Sequence, residues 1–322
     1  MTNNSEDNNS NNSNNSNNKK ITVVGHIALD YIFNVEELPK PNTSVQIPTA
    51  KKYYGGAACN VAVGVAKLGV NSEIISCVGT DMKSSGYSNY LKNFGIITSG
   101  VFHSEEEETP KAWIFTDKNH NQMTFFLWGA AKHYSEIAVP AFDGDIVHLA
   151  TGDAKYNVKC AEYLDNLKKD ENNKNNNILI SFDPGQDLPQ YTKEDMIKMI
   201  DCVDFMFMNH YEYERVLNLI DKDLKYLTNK IPVLVITYGK NGSIIYSKNN
   251  KIDIPAYPTN AIDPTGAGDS YRAGFLTAYL KGNDLYDCGR VASCMASFVV
   301  EKVGCQTNLP TWDEILERLS SF

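Results

Sequence analysis

A chain of 322 residues, 42% hydrophobic and 21% charged, has enough apolar material for one large core or two smaller ones. A formal net charge of -9 argues against a general nucleic-acid binder, which needs a basic face to displace counterions. No apolar run has bilayer length, and the seven scattered cysteines (59, 77, 160, 202, 288, 294 and 305) form no C-x-x-C pair, which argues against membrane spans, a disulfide framework and a zinc site.

These features predict a cytoplasmic globular protein without nucleic-acid or membrane partners. Residues 1–19 are Asn-rich, polar and of low complexity, so they are expected to be a disordered tail before a domain at 20–322. ITVVG (21–25) reads as the first buried strand. The aromatic-rich stretch 31–56 looks like strands joined by polar turns, and ACNVAVGVAKLG (58–69) has helical spacing. EIISCVG (73–79) is a further strand, and 109–128 repeats the aromatic, strand-like pattern. DIVHLA (145–150), ILISFD (178–183), DFMFMN (204–209) and PVLVIT (232–237) are short, apolar and partly β-branched, as buried strands are. Helical patterns at 153–169 and 193–203 separate them, and ENNKNNN (171–177) reads as a surface loop insertion. GKNG (239–242) has the composition of a hairpin turn, and Thr311 and Glu314 have capping-box spacing before a last helix.

Strand–helix alternation predicts a mostly parallel sheet covered on both faces, with a ligand site beyond the strands' carboxyl ends. The segments near 31–54 and 108–128 break that rhythm. They predict either a small separate sheet over the main one or an antiparallel extension of its edge, and spacing leaves both open.

The stretch DPTGAGDSYRAGFL (263–276) carries the chemistry. It is neither a lysine-containing phosphate loop nor a dinucleotide fingerprint. Gly266, Ala267 and Gly268 still precede a helix expected from about 270 to 280, so their amides can face an anion. Asp269 is then either a helix cap or the acceptor of a proton from an attacking hydroxyl.

Together with the upstream GGAACNVAVGVAKLG, this stretch resembles the two signatures of the ribokinase-like (PfkB) carbohydrate kinases, in the right order and over nearly the whole chain from Ile21. Segments 25–60 and 105–134 look most like those of archaeal nucleoside kinases. The resemblance implies a three-layer α/β/α domain with a β-sheet lid, ATP as phosphoryl donor, and Mg²⁺. It implies Asp269 as catalytic base and Gly266, Ala267 and Gly268 as anion hole. Asn209 and Glu212 match an N-x-x-E motif associated with Mg²⁺ and phosphate. Thr237, Gly239 and Gly242 match a turn along the nucleotide phosphates, and 292–304 matches a region flanking the donor adenine. On the acceptor side Asp30, Gly55, Gly56 and Asn60 match residues that bind the sugar, with Gln46 and Gln122 as further contacts, Gln122 toward ATP. SFDPGQDL (181–188) lacks the arginine many relatives carry there, and Arg272 stands where an apolar residue is usual, as an ATP contact or a carboxylate partner.

A phosphorylated acceptor needs a cationic clamp, yet 25–60 holds no arginine and only Lys40, Lys51 and Lys52, with Lys111 or Arg272 as other sources. The aromatic side chains Tyr31, Phe33, Trp113, Phe115, Phe125, Phe126 and Trp128 suit a nucleobase. The expected activity is therefore phosphorylation of a ribonucleoside 5′-hydroxyl. The alternatives are a free-sugar kinase, a phosphofructokinase, or a non-catalytic ligand-binding regulator. An exposed lid edge would allow a homodimer.

Overall fold

In the computed structural model, residues 19–119, 121–170, 177–248 and 250–321 are described. The predicted tail and most of the ENNKNNN insertion lie outside the described residues. In chain order the elements are β1 (Lys20–Val24), β2 (Ala28–Asn34), β3 (Thr49–Gly55), α1 (Ala57–Lys67), β4 (Asn71–Val78), α2 (Tyr87–Asn93) and β5 (Ile97–His103). Next come β6 (Lys111–Thr116), β7 (Gln122–Leu127), β8 (Ile146–Leu149), α3 (Ala154–Lys169), β9 (Leu179–Phe182), α4 (Lys193–Cys202) and β10 (Phe205–Asn209). The chain continues through α5 (His210–Ile220), α6 (Leu224–Lys230), β11 (Val233–Thr237), β12 (Ser243–Ser247), β13 (Asn250–Ile254), α7 (Ala267–Leu280), α8 (Leu285–Val300) and α9 (Trp312–Ser320). No described helix is long and apolar enough to cross a membrane.

Nine strands form the main sheet in the order β13-β12-β11-β10-β9-β8-β1-β4-β5. All its pairings are parallel except those that add β12 and β13 at one edge. Alternation along each strand feeds two cores. Ile21, Val23, Phe205 and Phe207 pack with α1, α7 and α8, whereas Val24, Met206 and Met208 pack with α3, α4 and α5 on the other face. This is why the central strands read as continuous apolar runs.

β2, β3, β6 and β7 form a separate four-stranded sheet in the order β3-β2-β6-β7, which settles the choice left open above. Their period of two splits the aromatic residues. Tyr31 stacks on Trp113 and Phe33 on Phe115, with Phe125 packed edge-on against Phe115. The other face presents Asp30, Ala112, Ile114, Gln122, Thr124 and Phe126 to a cleft below.

Candidate active site

Between this lid and the carboxyl ends of the parallel strands lies a cleft of about 520 Å³. Its floor is the start of α7. Asp263 shapes that start: Oδ1 accepts from the Thr265 amide at 3.0 Å and its hydroxyl at 2.6 Å, and Oδ2 accepts from the Gly304 amide at 3.1 Å. Gly266 caps the helix at φ +80°, and a Cβ there would sit 2.7 Å from that of Cys305. Of the three residues expected to hold an anion, Gly266 and Gly268 line the cleft. Ala267 does not, and its N–H donates to the Pro264 carbonyl at 3.2 Å. First-turn amides such as that of Gly268 have no acceptor within a helix, and the positive end of the dipole lies there.

Asp269 is in this first turn but makes no cap bond. Its Oδ2 accepts from Asn60 Nδ2 at 2.8 Å and its Oδ1 from Arg272 Nη1 at 3.1 Å. Burial raises its pKa, and Arg272 and then the Asn60 amide oppose that rise. Arg272 is itself buried, and its Nη2 lies 2.7 Å from Asp183 Oδ1. One guanidinium thus joins two carboxylates. It also brings a cation to the 181–188 segment, which has no arginine of its own.

Asp30 enters the cleft from β2. A Cβ on Gly55 would fall 1.9 Å from Asp30 Oδ2, and one on Gly56, at φ +92°, would fall 2.4 Å from the His26 carbonyl. Gly55 thus leaves room for the Asp30 carboxylate, and Gly56 for the backbone at the start of β2. Burial first, then Asp269 and Asp263, pushes the Asp30 pKa up to about 7. A carboxyl whose folded pKa exceeds its unfolded value of 3.8 makes the folded state bind more protons between the two, so stability falls as pH rises through that window. Asp30→Asn is accordingly expected to stabilise the free protein by about 1–3 kcal/mol at pH 8, with the gain fading toward pH 5. Urea unfolding at the two pH values checks it; equal stability at pH 8 would contradict the assignment.

Asn209 and Glu212 also line the cleft, where β10 passes into α5. They form a capping box: Asn209 Oδ1 accepts from the Tyr211 and Glu212 amides, each at 2.9 Å, and Glu212 Oε2 accepts from the Asn209 amide at 2.8 Å. With its oxygen so engaged, Asn209 suits a metal only through water. Among the described residues no group of three acidic, His or Cys side chains could hold a metal ion. The set fits an ion that arrives on substrate phosphates and keeps most of its waters.

Other expected residues are placed unevenly. Gln122 lines the cleft and reaches Thr265 Oγ1 at 3.4 Å, tying lid to floor. Gln46 lies in the exposed, irregular link between β2 and β3, outside the cleft and outside any strand. Thr237, Gly239 and Gly242 sit at the end of β11 beside it, also outside the cleft lining. Gly242 is required sterically, since a Cβ would meet the Ile254 carbonyl at 2.1 Å, whereas Gly239 faces open space. Of the seven lid aromatics, Phe126 and Trp128 line the cleft.

His26, Asp183 and Asp187 also line the cleft and were not in the expected set. His26 packs against Phe126 and Trp128 with ring centroids 5.1 and 5.4 Å away, and neither of its ring nitrogens is hydrogen-bonded. Their position just beyond strand ends was the available signal. Gln306, behind the cleft, had none.

The family model described as "pfkB family carbohydrate kinase" matches residues 18–312. A nucleoside kinase of Methanocaldococcus jannaschii is 60% identical over 302 residues, 94% of this chain and 97% of its own. Its crystal structure superposes with a TM-score of 0.87 at 59% identity, over 94% of this chain and 99% of that one. A nucleoside kinase of Methanothermobacter thermautotrophicus is 43% identical over 94% of this chain and 96% of its own. The nucleoside kinase of Burkholderia thailandensis in complex with inosine is 27% identical, with a TM-score of 0.85 over 94% and 97% of the two chains. A lid-covered cleft at strand ends, a glycine-started helix and full-length similarity of this kind lead to one assignment: the chain belongs to the pfkB family of carbohydrate kinases, phosphotransferases with an alcohol group as acceptor.

Proposed function

We propose that the protein transfers the γ-phosphoryl group of ATP to the 5′-hydroxyl of a ribonucleoside. The observation that carries the acceptor class is the charge of the cleft. Asp30, Asp183, Asp187, Asp269 and Glu212 line it, and Arg272, the one Lys or Arg among the described lining residues, is already bound to two carboxylates. Lys111 is likewise engaged, with Glu108 at 2.8 Å and Asp81 at 3.4 Å. A phosphorylated sugar would meet repulsion and no clamp, whereas a neutral sugar has carboxylates for its hydroxyls. Phe126, Trp128 and Ile114 offer an apolar wall to a base. The relatives named as nucleoside kinases support the same reading.

Asp30 and Asn60 would bind the sugar hydroxyls and bring the 5′-oxygen to Asp269, which takes its proton. The amides around Gly266 and Gly268 would face charge on the transferring group. Mg²⁺ would come with the ATP phosphates and neutralise part of their charge, with Glu212 and Asn209 holding it through water. The lid would exclude water that otherwise accepts the phosphoryl group. The cytoplasm supplies ATP and keeps the seven free thiols reduced. The outer lid face, with Phe125, Met123 and Leu127 exposed, would join a second copy as a homodimer; sedimentation as a monomer at micromolar concentration would remove that part.

The decisive experiment is ATP consumption across purine and pyrimidine nucleosides, free sugars and fructose 6-phosphate. Turnover with nucleosides is expected. Turnover with free sugars alone would make the protein a sugar kinase, and none with any acceptor would favour a binding role.

A further inference from the structure

A chain of hydrogen bonds behind the cleft has its direction set from one end. The Tyr87 hydroxyl donates to the Gly55 carbonyl at 2.7 Å. A carbonyl only accepts, so the phenolic proton is committed there and the Tyr87 oxygen must accept from its next neighbour. That neighbour is Gln306, at 3.0 Å, which must therefore present its amide nitrogen. The same Nε2 donates to Asn60 Oδ1 at 2.8 Å. Asn60 is thereby held with its oxygen turned from the cleft and its Nδ2 donating to Asp269 at 2.8 Å. Reversing the Asn60 amide would set an oxygen lone pair against the Asp269 carboxylate and a nitrogen against the Gln306 nitrogen. Tyr87, Asn60 and Gln306 are all buried, so water is poorly placed to replace a lost bond.

We propose that Gln306 is a positioning residue for phosphoryl transfer: by fixing the direction of the Asn60 amide, it orients Asp269 as the proton acceptor. The groups around Asp269 make that donor matter. Arg272 on its own helix favours the charged carboxylate, as does Asn60, while Asp30 from β2 and Asp183 beyond β9 are acidic neighbours. Cys305 and Cys59 also stand close, and burial holds both thiols protonated, with Cys59 pushed up to about 12.

The inference rests on Asp269 being the base, so Asp269→Asn belongs in the same series. Gln306→Met keeps the side-chain bulk and removes both donors, which frees the Asn60 amide to turn over. Single-turnover phosphoryl transfer is expected to slow about tenfold or more, with KM for ATP unchanged and the acid limb of the rate–pH profile displaced to higher pH. Tyr87→Phe removes only the anchoring hydroxyl and should move the limb the same way by less; it carries the test if Gln306→Met does not fold. An acid limb that stays at its wild-type position, whatever happens to the rate or the melting temperature, overturns the role of Gln306. If Asp269→Asn retains near-normal turnover, the base assignment itself falls, and the relay with it. If Asp269→Asn is inactive and the limb is unmoved in the other two variants, only the relay falls.

Discussion

Asp269→Asn is expected to lower turnover by about a hundredfold or more while leaving KM for ATP close to wild type. The amide keeps the size of the carboxylate, but it cannot accept a proton from the 5′-hydroxyl. It also faces two donors, Asn60 Nδ2 at 2.8 Å and Arg272 Nη1 at 3.1 Å, of which one will be left without an acceptor if the new nitrogen points at it. The donor residues expected at the Gly239 turn and in α8 are untouched, so ATP affinity separates loss of a base from loss of the fold. Turnover within a few fold of wild type would reject Asp269 as the base and leave it a buried partner of Arg272.

Arg272→Met should have the largest effect on stability. In wild type the guanidinium bridges Asp183, which is buried, and Asp269, which is partly exposed to the cleft. Removing one partner from a buried ion pair leaves uncompensated charge, and here it leaves two. The expected loss is roughly 3–5 kcal/mol at pH 8, measured by urea unfolding. The sign of its pH dependence follows from the direction of the shifts. Without the cation, burial drives both carboxyls up, the folded state binds more protons than the unfolded one, and stability falls as pH rises through their folded pKa values. The gap to wild type should therefore narrow between pH 8 and pH 6. A gap that widens on acidification would show that Arg272 does not set the charge of these two groups. Steady-state kinetics on the same variant test its expected contact with ATP: a rise in KM for ATP larger than the fall in kcat would favour it.

Much of the fold was legible because its determinants are local. The six buried strands named from apolar runs all belong to the main sheet, since a parallel strand buried on both faces reads as a near-continuous apolar run, broken here by buried polar residues such as His148 and Ser181. The capping box at Thr311/Glu314 needs only residues three apart. β5 was not legible: it is an edge strand whose side chains are mostly exposed, so it lacks the apolar run that marked its neighbours. The aromatic residues of the lid showed that strands were there, but which of them face the cleft depends on register, which pairs Ala112 with Phe126 and places Phe125 on the outer face.

What the sequence by itself determined is the alternation of strands and helices, the glycines at forced backbone turns, and the identity of Asp269 as an acid at a helix start. Period, steric freedom and charge at a helix end are properties of a few neighbouring residues. The tertiary structure decided what Asp269 is bonded to. Asn60 lies 209 residues away, and Gln306 lies 246 residues from Asn60 in turn. Folding alone brings those groups within hydrogen-bonding distance, and burial of Asn60 and Gln306 then makes their direction matter, because little solvent reaches an amide that points the wrong way.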